Sequence, residues 1–215
     1  MAVKQKFVVA LLIIGLCACQ SAYYSAMEKV GYHKRDILVD RVEGVQQAQQ
    51  DAQEEFKSAL EQFQSVVQFD GGELQARYEQ LNDEYQASKE AAEAVSEHID
   101  KVEQVAEDLF DEWQNELEQY SSARLRSQSA TKLAKTKARY KTLLRTMRQS
   151  EKKMQPFLSA LQDNVLFLKH NLNAQAIGSL KGELAGIEKD VAAIIREIDR
   201  SIKESEKFIN SLNAG

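Results

Sequence analysis

Apolar residues recur along most of this chain in alternating steps of four and three residues, from Leu38 to Leu212. This spacing puts them on one stripe of an α-helix, at the a and d positions of a heptad repeat. Interruptions at residues 70–72, 121–129 and 171–178 divide the pattern into four segments. Heptads favour left-handed packing at about 20°, and short connections make successive helices antiparallel.

The first two segments keep the spacing with few polar exceptions. In the first, Gln49 is the one polar residue on the stripe. In the second, residues 73–120, the stripe runs without a slip to Tyr120 and includes only Ser88 and Glu116 as strongly polar members. A helix of that length would be about 70 Å long.

The third segment contains a helix-breaking residue, and the fourth has a wider apolar stripe than the others. The third stripe extends to Leu172 with Lys137 and Glu151 as its polar exceptions, and Pro156 falls inside this segment. Because proline removes a backbone hydrogen bond and clashes with the preceding turn, we expect a kink or a division of this helix at about Gln155. The fourth segment, residues 177–212, has a stripe wider than two positions, which suits a helix that contacts two or more neighbours.

The composition agrees with long helices. The chain has one proline and nine glycines in 215 residues, so both helix breakers are scarce. Sandwiches, barrels and propellers need frequent turn residues and are excluded on this ground. We therefore predict an all-α fold, an elongated antiparallel bundle or coiled coil of about four long helices. The alternative is a two-stranded coil that dimerises.

The second segment is mainly acidic and the third is mainly basic. Residues 73–121 carry fifteen acidic and three basic residues, whereas residues 122–172 carry twelve basic and two acidic residues. Opposite charges beside a heptad stripe select the partner helix and its orientation. The pattern therefore favours pairing of these two segments as the longest hairpin.

The stretch 124–153 is the most basic part of the chain, with eleven basic residues and one acid. It predicts either a surface for an anionic envelope ligand, such as lipopolysaccharide or a cell-wall polymer, or simply a complement to the acidic helix. The candidate residues for a ligand or partner face are Arg124, Arg126, Lys132, Lys135, Arg139, Arg145 and Arg148.

The N-terminus has the features of a bacterial lipoprotein signal. Lys4 and Lys6 precede the apolar run 7–16, which is too short to span a bilayer and has the length of a signal-peptide core. The following Leu-Cys-Ala-Cys resembles the lipobox, with Ala18 as the small residue and Cys19 as the lipid acceptor.

Sorting and domain boundaries follow from this interpretation. By resemblance to lipoprotein sorting, Gln20 after the cysteine implies the periplasmic face of the outer membrane. The expected organisation is a signal peptide at 1–18, a lipid-anchored segment with a short helix at 19–35, and the bundle at 36–215. A nucleic-acid partner would suit the basic stretch, but the signal sequence places the chain outside the cytoplasm.

Residues for catalysis or metal binding do not form a recognisable pattern. The three histidines, His33, His98 and His170, are far apart, and Glu97 and Asp100 beside His98 make only a weak cluster. The chain also lacks a phosphate-binding loop and a Gly-x-Ser-x-Gly motif. We therefore expect no enzymatic activity, no metal and no cofactor.

Residues 21–42 resemble the start of an uncharacterised gammaproteobacterial lipoprotein family of unknown function. This resemblance implies an all-helical envelope protein and supplies no catalytic residues. The resulting expectation is a lipid-anchored spacer, adaptor or scaffold that binds an envelope protein or self-associates, with its long hairpin reaching away from the membrane. The alternative is a binding module for an anionic ligand through residues 124–153.

Overall fold

A computed structural model of the chain describes residues 33–69, 71 and 74–214. The expected signal peptide, residues 1–18, and nearly all of the expected anchor segment, residues 19–35, lie outside the described residues. The rest forms four long helices, α1 (Lys34–Val67), α2 (Leu74–Glu116), α3 (Ala123–His170) and α4 (Ala174–Asn213), and a 3-10 turn, Leu117–Gln119. The predicted all-α bundle of four helices is confirmed.

The helix ends follow local signals. Between α1 and α2, Gly71 has a φ of 153°, a conformation that side chains with a Cβ rarely adopt. At the start of α3, the Ser122 hydroxyl oxygen accepts a hydrogen bond from the Leu125 N–H at 3.4 Å. At the start of α4, the Asn173 side-chain oxygen accepts one from the Ala176 N–H at 3.0 Å. Both are N-caps that satisfy an otherwise unpaired donor.

The helices pack in a ring in which each contacts the helices before and after it in sequence, and α1 closes the ring against α4. Diagonal helices meet in the middle, where the rings of Phe56 on α1 and Phe157 on α3 pack edge to face with centroids 5.2 Å apart. As the charge pattern predicts, α2 and α3 are the longest pair, with 43 and 48 residues.

The core consists of the heptad residues over most of the bundle. Gln49 and Ser88 are fully buried, as their stripe positions predict. The prediction is wrong at the ends of two stripes, because Glu116 is exposed and Tyr120 and Leu172 are 38% and 39% exposed. These residues lie where a helix ends and its neighbours stop, so the stripe has nothing to pack against.

Pro156 does not divide its helix. α3 is continuous from Ala123 to His170, so the predicted division at Gln155 is wrong. Pro156 lies on the exposed side of α3, and its neighbours Met154 and Phe157 are fully buried. The carbonyl left without a donor can therefore be solvated, while the buried neighbours hold the helix against the bundle.

The closed end of the α2–α3 hairpin lies at the end of the bundle where α1 begins. The Lys34 ammonium forms an ion pair with Glu112 at 3.0 Å, near the end of α2. The Trp113 indole N–H donates across the hairpin to the Ser129 hydroxyl at 2.8 Å. The α1–α2 and α3–α4 connections therefore lie at the opposite end of the bundle.

Candidate functional site

The predicted lipid acceptor, Cys19, lies outside the described residues. Within the described residues, none of the helices is both long enough and apolar enough to cross a bilayer.

The predicted basic face lies entirely on α3, but its members do not share one role. Six of the seven candidate side chains are exposed and Arg148 is half-buried. Among the described residues, no carboxylate is ion-paired with Lys135, Arg139 or Arg145, and Arg124 contacts the amide oxygen of Gln128 at 3.4 Å. These side chains are available to a ligand from solvent.

Arg148 is the member that pairs with the acidic helix. Its guanidinium donates to Asp100 at 2.5 Å and to Glu103, both on α2, and to Glu151 on its own helix at 3.1 Å. Burial by itself would lower the pKa of Arg148, but the hydrogen bonds to the three carboxylates outweigh it and raise the pKa. Charge complementarity between α2 and α3 is thus realised at Arg148.

Three aromatic residues from different helices, Phe110, Tyr140 and Phe208, form a cluster that the sequence did not predict. The Tyr140 ring packs edge to face on Phe110 of α2 with centroids 5.3 Å apart, and lies 6.3 Å from Phe208 of α4. The Lys137 ammonium lies 5.6 Å from the centroid of Phe110, a cation–π distance. Burial, and then the nearby carboxylates of α2, raise the pKa of Tyr140. The phenol therefore stays neutral, and the cluster serves packing.

A groove of about 420 Å³ between α3 and α4 includes one of the predicted basic residues. Arg139 lines it together with Lys207 and Phe208. Lys207 is ion-paired with Glu204 on its own helix at 2.6 Å, whereas Arg139 is exposed. The groove thus presents the Arg139 guanidinium to solvent beside the ion pair of Lys207 and Glu204, whereas Phe208 is only 2% exposed.

A polar layer crosses the core in the middle of the bundle. The Gln49 amide nitrogen donates to the hydroxyls of Ser150 on α3 at 2.8 Å and Ser201 on α4 at 3.0 Å. The Gln49 side-chain oxygen is buried without a partner. The heptad register marked Gln49 as polar, but no sequence signal identified the two serines as its partners. Because this layer is sealed within the core, it fixes how the helices align and offers no access to a ligand.

His98 packs against α1. Its Nδ1 is buried without a hydrogen-bond partner. Burial lowers the pKa of His98, as do the positive charges of Lys101 and Arg41, and the carboxylate of Glu97 opposes them. Within the described residues, no group of three or more His, Cys, Asp or Glu side chains is placed to hold a metal ion.

Comparison with known proteins places the chain in a family without assigning it an activity. No curated protein and no solved structure matches it significantly. The model of a family described as a protein of unknown function, DUF2959, matches residues 23–212. The matched range covers most of the chain and all of the ring of four helices except its last residue. The chain therefore belongs to the DUF2959 family.

Proposed function

We propose that this protein is a lipid-anchored helical bundle on the periplasmic face of the bacterial outer membrane, where it acts as a non-enzymatic structural, spacer or adaptor element. The observation that carries the proposal is the N-terminal sequence. A basic start and the apolar run 7–16 are followed by Ala18 and Cys19. An acylated Cys19 would hold the chain firmly, since stable anchoring takes more than one lipid signal.

The shape of the bundle supports a spacer or adaptor role. The longest helix, α3, has 48 residues and is therefore about 72 Å long. It is flanked by α2 and α4 and is not interrupted at Pro156. A rod of this length separates two attachment points and offers long lateral surfaces to a protein partner.

Labelling with a radioactive fatty acid tests the anchor. The wild-type protein should carry the label, and Cys19→Ala should not. Cys17→Ala is the matched control, because it removes the neighbouring cysteine and should leave labelling intact. Equal labelling of the Cys19→Ala and wild-type proteins would exclude anchoring at Cys19.

A second candidate function is binding of an anionic envelope ligand along α3. The specific observation is that Lys135, Arg139 and Arg145 are exposed and are not ion-paired with α2, whereas Arg148 is. Pairing of α2 with α3 therefore does not account for the positive charges of these three side chains.

Binding of purified lipopolysaccharide tests this second candidate. The triple charge reversal Lys135→Glu, Arg139→Glu and Arg145→Glu should abolish binding while the helical content is retained. The matched control reverses three exposed basic residues of α4, Lys189, Arg196 and Lys203, and should bind as wild type does. A loss of stability with binding retained would instead show that the basic face serves the fold.

A further inference from the structure

The tip of the α2–α3 hairpin, residues 117–132, extends beyond the other two helices. Tyr140 of α3 lies beside Phe208 of α4. From there α4 continues for only five residues to its end, whereas α3 extends seventeen residues back to its start at Ala123. At 1.5 Å per residue, α3 therefore projects about 18 Å past the end of α4.

The start of α1 also falls short of the tip. Lys34 lies beside Glu112, and α2 with its 3-10 turn continues from there to Gln119. The hairpin tip is thus the outermost part of the described structure at the end where the N-terminal segment joins the bundle.

The surface of the tip combines arginines with apolar side chains. Arg124 and Arg126 are exposed in the first turn of α3, which contains no acidic residue. Their charge adds to the positive end of the helix dipole. Leu125 between them is 43% exposed and Tyr120 is 38% exposed. Exposed Glu116 and Glu118 lie at the end of α2 and on the 3-10 turn that follows it, so the positive charge is confined to the α3 side.

We propose that the hairpin tip docks on the anionic phospholipid headgroups of the membrane that holds the N-terminal lipid. This inference rests on the proposed anchor at Cys19. Arginines suit phosphate groups, and tyrosine suits the boundary between headgroups and acyl chains. Cys19 and His33 are fourteen residues apart, a covalent reach of at most roughly 50 Å, which exceeds the overhang of the tip. The anchor and the tip therefore make two contacts with one surface and fix the orientation of the bundle.

Lipid-proximity labelling of the full chain tests the contact. Cys17 is removed with the signal peptide and Cys19 is acylated, so Leu125→Cys introduces a single free thiol for an environment-sensitive fluorophore. The protein is placed in vesicles of two parts phosphatidylcholine and one part phosphatidylglycerol, with a nitroxide quencher on some headgroups. The matched control is Leu172→Cys, because Leu172 is 39% exposed and lies at the opposite end of the bundle.

Quenching at position 125 and not at position 172 is the expected result. Absence of quenching at 125, or equal quenching at both positions, in protein that floats with the vesicles would overturn tip docking and leave the anchor intact. Protein that does not float with the vesicles would overturn the anchor itself, and the docking proposal with it.

Charge variants test the role of the two arginines. Because each arginine near an anionic surface has a modest favourable effect, Arg124→Gln with Arg126→Gln should lower the ratio of docked to undocked protein by about thirtyfold. The matched control, Lys152→Gln with Lys153→Gln, neutralises an exposed basic pair far from the tip on the same helix and should leave quenching at position 125 unchanged. Equal quenching in both double variants would show that the arginines do not hold the tip at the membrane.

Discussion

The imidazole of His98 on α2 lies directly over Gly44 on α1. A Cβ added to Gly44 would come within 2.9 Å of His98 Nδ1 and 3.3 Å of Cε1. Glycine in a helix interior costs about 1 kcal/mol relative to alanine, and here it makes room for the imidazole. The pair sets how closely α1 and α2 approach at this level.

Enlarging Gly44 should therefore destabilise the bundle. We expect Gly44→Leu to lower the free energy of unfolding by about 1–3 kcal/mol, because the side chain displaces His98. Gly182→Leu is the control, since a Cβ at Gly182 meets nothing within 4 Å, and it should be neutral or slightly stabilising. Urea unfolding measures both, and His98→Ala should restore much of the loss in the Gly44→Leu background. Equal effects at the two glycines would contradict the packing of His98 on Gly44.

Stability should fall in mild acid because of His98. Burial, and then the charges of Lys101 and Arg41, lower the pKa of the folded His98 below 6.5. As the pH falls through about 6.5 the unfolded chain therefore binds a proton before the folded chain does, and this favours unfolding. Above that pH, His98 is neutral in both states and contributes nothing to the pH dependence.

The measurement compares thermal unfolding of the wild-type protein and His98→Gln at pH about 7.5 and about 5, above the range in which most carboxylates titrate. The variant should lose less stability than the wild type over this interval. Identical pH profiles would assign the acid sensitivity to other groups.

We expect the buried Gln49 to fix the alignment of the helices and to add little to the stability of the bundle. Its amide nitrogen binds Ser150 and Ser201, but its oxygen is desolvated without a partner. Gln49→Met removes this desolvation cost and should change the unfolding free energy by less than about 1 kcal/mol or increase it. Phe56→Ala, which empties a fully buried site, should cost about 3–5 kcal/mol in the same denaturation assay. A cost for Gln49→Met comparable with that for Phe56→Ala would show that the polar layer is a main source of stability.

Replacing Arg148 should lower the free energy of unfolding more than replacing the neighbouring Arg145. Arg148→Ala leaves the carboxylates of Asp100, Glu103 and Glu151 clustered without their cation, and we expect a loss of about 1–2 kcal/mol. Arg145→Ala removes an exposed side chain that is not ion-paired within the described residues and should change stability by less than about 0.5 kcal/mol.

Salt provides an independent check on Arg148. Because ionic strength screens partly exposed charges, the difference between wild type and Arg148→Ala should shrink as salt is raised. A difference that is independent of salt would indicate that the stem of Arg148 packs, and that its charge contributes little.

Replacing Pro156 should stabilise α3. Pro156→Ala restores a backbone donor within a continuous helix and relieves the contact of the ring with the preceding turn. The expected gain in unfolding free energy is up to about 3 kcal/mol. Gln155→Ala, at an exposed neighbouring position, should change stability by only a few tenths of a kcal/mol and serves as the control. A destabilised Pro156→Ala protein would mean that the proline ring is itself a packing element.

The heptad spacing predicted the number, order and type of the helices because burial of a regular apolar stripe dominates their packing. It failed at Glu116, Tyr120 and Leu172, where the spacing continues past the point at which neighbouring helices end. The division predicted at Pro156 does not occur, because the loss of one hydrogen bond on the exposed side is outweighed by the buried residues Met154 and Phe157. The heptad spacing of a segment depends on that segment alone, so it does not predict where the neighbouring helices end.

For the candidate site, the sequence determined which residues are basic and predicted that those from Lys132 onward lie on one helix. The interruption predicted at 121–129 is wrong, because the helix already begins at Ala123 and therefore includes Arg124 and Arg126. Only the tertiary structure decided which of the basic residues meets a carboxylate, since Arg148 reaches Asp100 and Glu103 while Arg145, three residues earlier, does not. The reason is geometric. On a helix, residues three apart differ in direction by about 60°, so one faces the neighbouring helix and the other faces solvent.

The sequence by itself determined the class of the fold and the pairing of the acidic and basic helices, both of which depend on residue type and spacing along the chain. The tertiary structure decided the contacts between distant positions, which are Gly44 with His98, Gln49 with Ser150 and Ser201, and the hairpin tip with the end of the bundle where α1 begins. These contacts depend on the axial register between helices. A heptad repeat leaves that register open, because a shift of seven residues presents nearly the same stripe, and it is fixed only when particular side chains must fit opposite one another.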